Sequence, residues 1–173
     1  KLDDIIASGT LRCAVVLDFP PMGSRDASNT PIGFDVDTCN DLAKALRFAL
    51  RQEWRRLTIV GACGRREDHT LANISLLADF CAHAQIELLT DHGIFTAHID
   101  AATLAATPGQ QVSLFSFDPH LSITSQGLKY PLRQLHLTRW WQAASNEATA
   151  TTFSLNFSGG VVIVFRAYID HHP

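Results

Sequence analysis

Apolar residues in this chain follow two different periods, and the change from one to the other near Ala97 limits the architectures open to it. Before that point, strand-like runs alternate with helical stretches. Leu11-Arg12-Cys13-Ala14-Val15-Val16-Leu17 reads as a buried strand after a short helix at Leu2 to Ile6, which Ser8-Gly9 ends. Pro20-Pro21 and the stretch from Arg25 to Pro31 are turn formers, and Ile32-Gly33-Phe34-Asp35 reads as extended chain. From Asp37 to Trp54, Leu42, Ala45, Leu46, Ala49 and Leu50 fall on one helical face. Leu57 to Ala62 is a continuous apolar strand, a second helix is expected from about Thr70 to Ala84, and Ile86 to Thr90 is a further strand. Such alternation is the pattern of a parallel sheet covered by helices. Beyond Ala97 the pattern changes to short strands between Pro, Gly, Ser and Asn turns: residues 111–117, 135–137, 153–157 and 161–165. The expectation is an α/β chain, with a parallel α/β layer over residues 1–97 and an antiparallel β-sandwich over 98–173.

Composition narrows the function classes. With 46% hydrophobic and 18% charged residues, the chain has enough apolar material for a real core. A net charge of -3 provides no basic footprint, so nucleic acid is not an expected partner. The longest apolar run, Gly160 to Phe165, is far short of the roughly 20 residues that cross a bilayer, and no membrane span is expected. Residues 1–12 lack an apolar stretch of signal-peptide length, which suits a cytoplasmic protein or one whose signal has been removed. Cys13, Cys39, Cys63 and Cys81 form no C-x-x-C pair and read as buried thiols rather than disulfides or zinc ligands. His171 and His172, beside Asp170, belong to a terminal tail, and no zinc site is assigned. Ser145 has no histidine base in a nucleophile motif.

The segment Gly61-Ala62-Cys63-Gly64-Arg65-Arg66-Glu67-Asp68-His69 lies between a buried strand and a helix. In open, Rossmann-like α/β sheets this is where anionic ligands meet the N–H groups of a helix start. Arg66 would supply a forked donor to phosphate oxygens, and Asp68 would hold magnesium directly or through water. The residues alone leave a second reading open, an ordinary polar turn with Asp as helix cap.

The run from Thr58 to Leu77 contains Gly64-Arg65-Arg66-Glu67-Asp68-His69-Thr70-Leu71-Ala72-Asn73, and it resembles the G-x-R-x-D-H-T-L-x-N segment of the thiamine pyrophosphokinases. Asn40-Asp41-Leu42-Ala43-Lys44-Ala45-Leu46 is similar to that family's Q-D-x-N-D-x-x-K-A stretch, with Thr38 standing where the family has its first Asp. The family's other acidic loop, G-D-x-D-S, appears nowhere in these 173 residues. Downstream, Pro108 to Phe115, Gly127-Leu128-Lys129-Tyr130 and Trp140-Trp141-Gln142 through Ser145-Asn146-Glu147 resemble its carboxy-terminal sandwich. The resemblance implies diphosphoryl transfer from ATP to thiamine, with catalytic and magnesium-binding roles for Asp41 and Asp68 and ATP contacts from Lys44 and Arg66. It implies thiamine contacts from Trp141, Ser145 and Asn146. It also implies a homodimer, for which Tyr130, Trp140 and Trp141 are the aromatic anchors. With acids missing, activity is expected to be weak or absent.

The first 45 residues resemble another family. Lys1 to Arg12, Asp18-Phe19-Pro20-Pro21-Met22 and Pro31 to Asp37 are similar to the opening of periplasmic amino-acid binding proteins. That resemblance implies a ligand cleft at Asp18 and Phe19 and, if it governs targeting, a periplasmic location. Together the two suggest a chimera, natural or engineered, with an amino-acid or other small-molecule binding module as the alternative function.

Overall fold

The structure is a computed structural model that describes residues 10–14, 24, 25, 31, 32, 34–63 and 67–169, with side chains from residue 41 onward. The chain divides into two compact units, residues 1–90 and 91–173. The boundary expected near residue 97 therefore falls inside a strand of the second unit.

In the first unit, strands β1 (Thr10–Ala14), β4 (Arg56–Val60) and β5 (Gln85–Leu89) pair in parallel, with β4 in the middle. A short antiparallel pair, β2 (Ser24–Arg25) and β3 (Pro31–Ile32), precedes helix α1 (Phe34–Arg51). Helix α2 (Glu67–Phe80) connects β4 to β5. Leu57 and Ile59 of β4 lie beside Ile86 and Leu88 of β5 in register, all four buried. Leu42, Leu46 and Ala49 bury one face of α1, while His69, Asn73, Leu77 and Phe80 bury one face of α2. The two helices pack on each other, and each large apolar side chain removed from water contributes about 1.5–3 kcal/mol.

Several boundaries differ from the sequence reading. Helix α1 begins at Phe34 rather than 37, so Phe34 and Asp35 are helical and not extended. Asp35 and Asp37 thereby fall in its first turn. At its other end the chain leaves the helix through Glu53, whose φ of 61° is left-handed. Glu53 N–H donates to Leu50 O at 3.0 Å and Trp54 N–H to Ala49 O at 3.1 Å. Trp54 also packs edge-on against Phe48, ring centroids 6.2 Å apart. These are the paired bonds and apolar contact of a Schellman ending, here without the usual glycine. Helix α2 starts at Glu67 rather than 70, with Glu67 and Asp68 in its first turn, and stops at Phe80. There His83 and Ala84 N–H both turn back to Phe80 O.

The second unit is antiparallel throughout. One sheet runs β6 (Gly93–Ile99), β13 (Val161–Ala167), β8 (Gln111–Phe115), β11 (Asn146–Glu147). The other runs β10 (Leu135–His136), β9 (Ser122–Gln126), β12 (Thr152–Asn156), β7 (Ala102–Ala105). Alternate residues of both supply one core: Val112, Leu114, Val162 and Val164 from the first, and Leu104, Ile123, Phe153 and Leu155 from the second. Gly127, after β9, has φ of 79°, and a Cβ there would meet Thr152 O at 2.7 Å, so glycine is required. Among the described residues, no helix is long and apolar enough to cross a membrane.

Candidate functional site

The first set of candidates sits where β4 hands over to α2. Gly61 turns the chain with φ of 70°. Asn73 then ties the helix to the end of the strand, its Nδ2 donating to Ala62 O at 2.7 Å. Asn73 is only 1% exposed, and its Oδ1 has no hydrogen-bond partner. Asp68 and Glu67 are exposed at the helix start, where each carboxylate gains about 0.3–1 kcal/mol from the dipole. Their charge also repels a bare phosphate. Polyphosphate is accommodated at such a turn when a cation lies between.

On α1, Asp41 and Lys44 form an exposed ion pair at 3.0 Å. Arg66, Asp18 and Phe19 lie outside the described residues. Magnesium is commonly held by one or two carboxylates together with substrate phosphates rather than by an all-protein cage. Asp41 and Asp68 are exposed carboxylates on helices that pack together. Among the described residues, no three His, Cys, Asp or Glu side chains are grouped to hold a metal alone. Cys63 and Cys81 are thiols, and both are half-buried rather than buried as expected. Burial pushes the Cys81 thiol pKa up.

The second set is carried by the turn over residues 138–147. Trp141 projects from it, 75% exposed. Gln142 holds the turn from within, its Oε1 accepting from Arg139 N–H at 2.8 Å and from the Thr138 hydroxyl at 3.2 Å. Ser145 has φ of 57°, and its N–H donates to Ser113 Oγ on β8 at 3.0 Å. Ala143 is buried and accepts from Leu114 N–H at 2.9 Å. The indole is thus a flat apolar surface in water on a pinned support. Trp140 instead packs edge-on against Phe117 at 5.4 Å.

Asn146 is 3% exposed and fully engaged. Its Nδ2 donates to Tyr130 O at 2.7 Å, while Oδ1 accepts from the N–H groups of Tyr130, at 3.1 Å, and Glu147, at 2.9 Å. The carboxamide clamps the 127–132 loop against β11. Glu147 pairs with Lys129 at 3.0 Å, and this hydrogen bond, with the carboxylate's charge, raises the lysine pKa. Ser113 and Gln142 escaped the sequence reading. Their role depends on partners that only the folded turn brings near.

The geometry defines a mixed α/β, sheet-rich protein with a polar strand-to-helix turn in one unit and a mounted aromatic surface in the other. Residues 33–90 match the family profile described as the thiamin pyrophosphokinase catalytic domain, and residues 93–165 match that of the thiamin pyrophosphokinase substrate-binding domain. Among solved structures, the thiamine pyrophosphokinase from Bacillus subtilis superposes with a TM-score of 0.65 at 26% identity, over 75% of this chain and 63% of its own. The enzyme from Geobacillus thermodenitrificans has the same TM-score at 27% identity, over 76% and 62%. That from Candida albicans, at 18% identity and a TM-score of 0.57, shares the fold over 65% and 44%. No curated protein matches. Over the residues covered by the two profiles, the chain belongs to the thiamin pyrophosphokinase family, and it spans somewhat less than two thirds of the length of the two bacterial relatives.

Proposed function

We propose that the chain is a thiamine pyrophosphokinase-like protein that binds thiamine at the 138–147 turn and ATP with magnesium at the β4–α2 turn. The observation that carries this reading is Trp141, an exposed indole held on a hydrogen-bonded turn beside Ser145. Such a surface suits the stacking of a planar heteroaromatic ring. Ser145, exposed, is the polar contact in this reading, and Asn146 acts by holding the loop rather than by touching ligand. Asp41 and Asp68 would bind magnesium, and Lys44 and Arg66 the polyphosphate. Magnesium, when bound, neutralises charge on the transferred group. The reaction joins the thiamine hydroxyl oxygen to the β-phosphorus of ATP, breaks the bond from that phosphorus to the α–β bridging oxygen, and releases AMP and the hydroxyl proton.

The two units are read here as a Rossmann-like parallel layer and a β-sandwich, dividing at residues 90 and 91. The protein is read as a cytoplasmic homodimer anchored by Tyr130, Trp140 and Trp141. These three side chains are exposed large hydrophobics, a type favoured at interface centres. Light scattering that finds a monomer at micromolar concentration removes the dimer. For residues 1–32, which lie ahead of both profile matches, the solute-binding resemblance with Asp18 and Phe19 at a cleft remains a proposal from sequence. The β1 strand from this segment pairs with β4 in the parallel sheet, which fits either origin.

The test is calorimetric titration with thiamine, ATP-magnesium and a panel of amino acids. Trp141→Ala is expected to weaken thiamine binding roughly tenfold or more without loss of fold, as stacking contributes about 1–3 kcal/mol. Undiminished thiamine affinity in that variant would sink the site. With Thr38 in place of an acid, thiamine diphosphate formation is expected about a hundredfold below that of a family enzyme carrying that acid. Turnover at that enzyme's level, lost in Asp68→Ala, would show that the retained acids suffice.

A further inference from the structure

Arg166 is a partly buried cation with no ion pair among the described residues. On β13 it lies opposite Ile94 of β6 and Val112 of β8, and shares the sheet face of Val162 and Val164 that forms the core. Its side chain crosses to the other sheet, where Nη1 donates to Ala105 O of β7 at 2.8 Å. Nε is shielded from solvent and has no acceptor. The ion pairs of the described residues, Asp41–Lys44 and Glu147–Lys129, do not include it.

Two further polar groups share that face. Thr96 and His98 of β6 pair in register with Val164 and Val162, so both lie on the core side of the sheet. Thr96 is buried, His98 half-buried, and Thr96 Oγ1 lies 2.9 Å from His98 Nε2. Burial lowers the His98 pKa, and the positive charge of Arg166 lowers it further.

Buried charges in proteins are ordinarily paired and hydrogen-bonded, and an unmet donor on a charged group is costlier than one on a neutral group. A buried donor without a partner calls for a bound water or ion. Water would satisfy Nε but leave the positive charge uncompensated. An oxyanion does both, and a guanidinium presents donors in a fork that matches two oxygens. The Nη1 contact with Ala105 lies in an exposed position, which leaves a way in from solvent.

We propose that Arg166, with Thr96 two register positions along the same sheet face, forms a binding site for a small oxyanion, a phosphate group or a carboxylate, at the edge of the second unit's core. The site is carried by β6 and β13, whereas the indole of Trp141 is carried by the 138–147 turn, and it does not rest on the thiamine reading.

The experiment uses the whole chain without ATP, magnesium or thiamine. Thermal unfolding is followed against potassium phosphate, potassium acetate and potassium chloride at matched ionic strength, and the Arg166 Nε–H resonance is followed by NMR in the same titrations. Phosphate or acetate is expected to raise Tm saturably beyond chloride, by about 3 °C or more for each tenfold above the dissociation constant, and to shift the Nε–H signal. A response to phosphate alone identifies a phosphate group as the ligand, and an equal response to acetate identifies the wider carboxylate class. The rise should vanish in Arg166→Gln and shrink in Arg166→Lys, which retains the charge but not the fork. Should Arg166→Gln fail to fold, the wild-type resonance decides. A Tm change equal to that in chloride, an undiminished rise in Arg166→Gln, or an unmoved Nε–H signal overturns the proposal.

Discussion

Each unit buries one asparagine at its candidate site, and the two are used differently. Asn73, at the β4–α2 turn, spends its amide nitrogen on Ala62 O and leaves Oδ1 without a partner. Asn146, beside the Trp141 turn, uses both ends of its carboxamide to lock Tyr130 and β11 together. A buried acceptor left unmet costs about 1–3 kcal/mol, so the first region holds its shape at a cost, while the second is fully satisfied. The lesson is one of division of labour. The second unit presents its exposed indole on a rigid mount, whereas the first carries its carboxylates and lysine exposed on helix surfaces.

The largest expected effect tests whether the second unit's rigidity resides in its core. Phe153 is 1% exposed and belongs to the cluster shared by both sheets. Phe153→Ala should destabilise the protein by about 3–5 kcal/mol in urea unfolding, and a loss below about 1 kcal/mol would mean that the core is loosely packed. Next come the two asparagines. Asn146→Ala strands the N–H and C=O of Tyr130 and should cost about 1–3 kcal/mol, whereas Asn73→Ala also removes an orphaned acceptor and should cost less. Equal losses would break the comparison.

A gain of about 0.5–1 kcal/mol is expected for Glu53→Gly, because the left-handed Schellman position favours a residue without Cβ. A lower Tm in that variant would mean that the Glu53 side chain has a role beyond its backbone angle. A change of less than about 0.5 kcal/mol is expected for Lys44→Ala, because the exposed pair with Asp41 is worth little. A large loss would mark the first region as rigidly built after all.

A pH effect also separates the units. His98 has its pKa lowered in the folded state by burial and then by Arg166. Its contribution is therefore fully present above the unfolded pKa of about 6.5 and is lost as pH falls through the lower folded value. Stability measured from pH 7.5 downward should fall more steeply in the wild type than in His98→Gln, and identical slopes would show that His98 does not titrate with unfolding.

The β4–α2 segment was legible in the sequence because its signals are local: an apolar run, a glycine turn and acidic residues at a helix start. The same locality allowed Leu42, Leu46 and Ala49 to be read as one buried face. Trp141, Ser145 and Asn146 were picked out through resemblance, but the sequence did not distinguish an exposed indole from a buried carboxamide that serves as a clamp. Strands β6, β7, β9 and β11 went unread. β6 becomes a strand by pairing along its full length with β13, from Gly93 opposite Ala167 to Ile99 opposite Val161, and no window of neighbouring residues contains that partner. What the sequence by itself determined was the family's strand–turn–helix motif and the switch from parallel α/β to antiparallel β structure. Only the tertiary structure decided the strand register, the hydrogen bonds that mount Trp141 and the approach of Arg166 to Ala105, because each depends on groups far apart in the chain that become neighbours when a common core is buried.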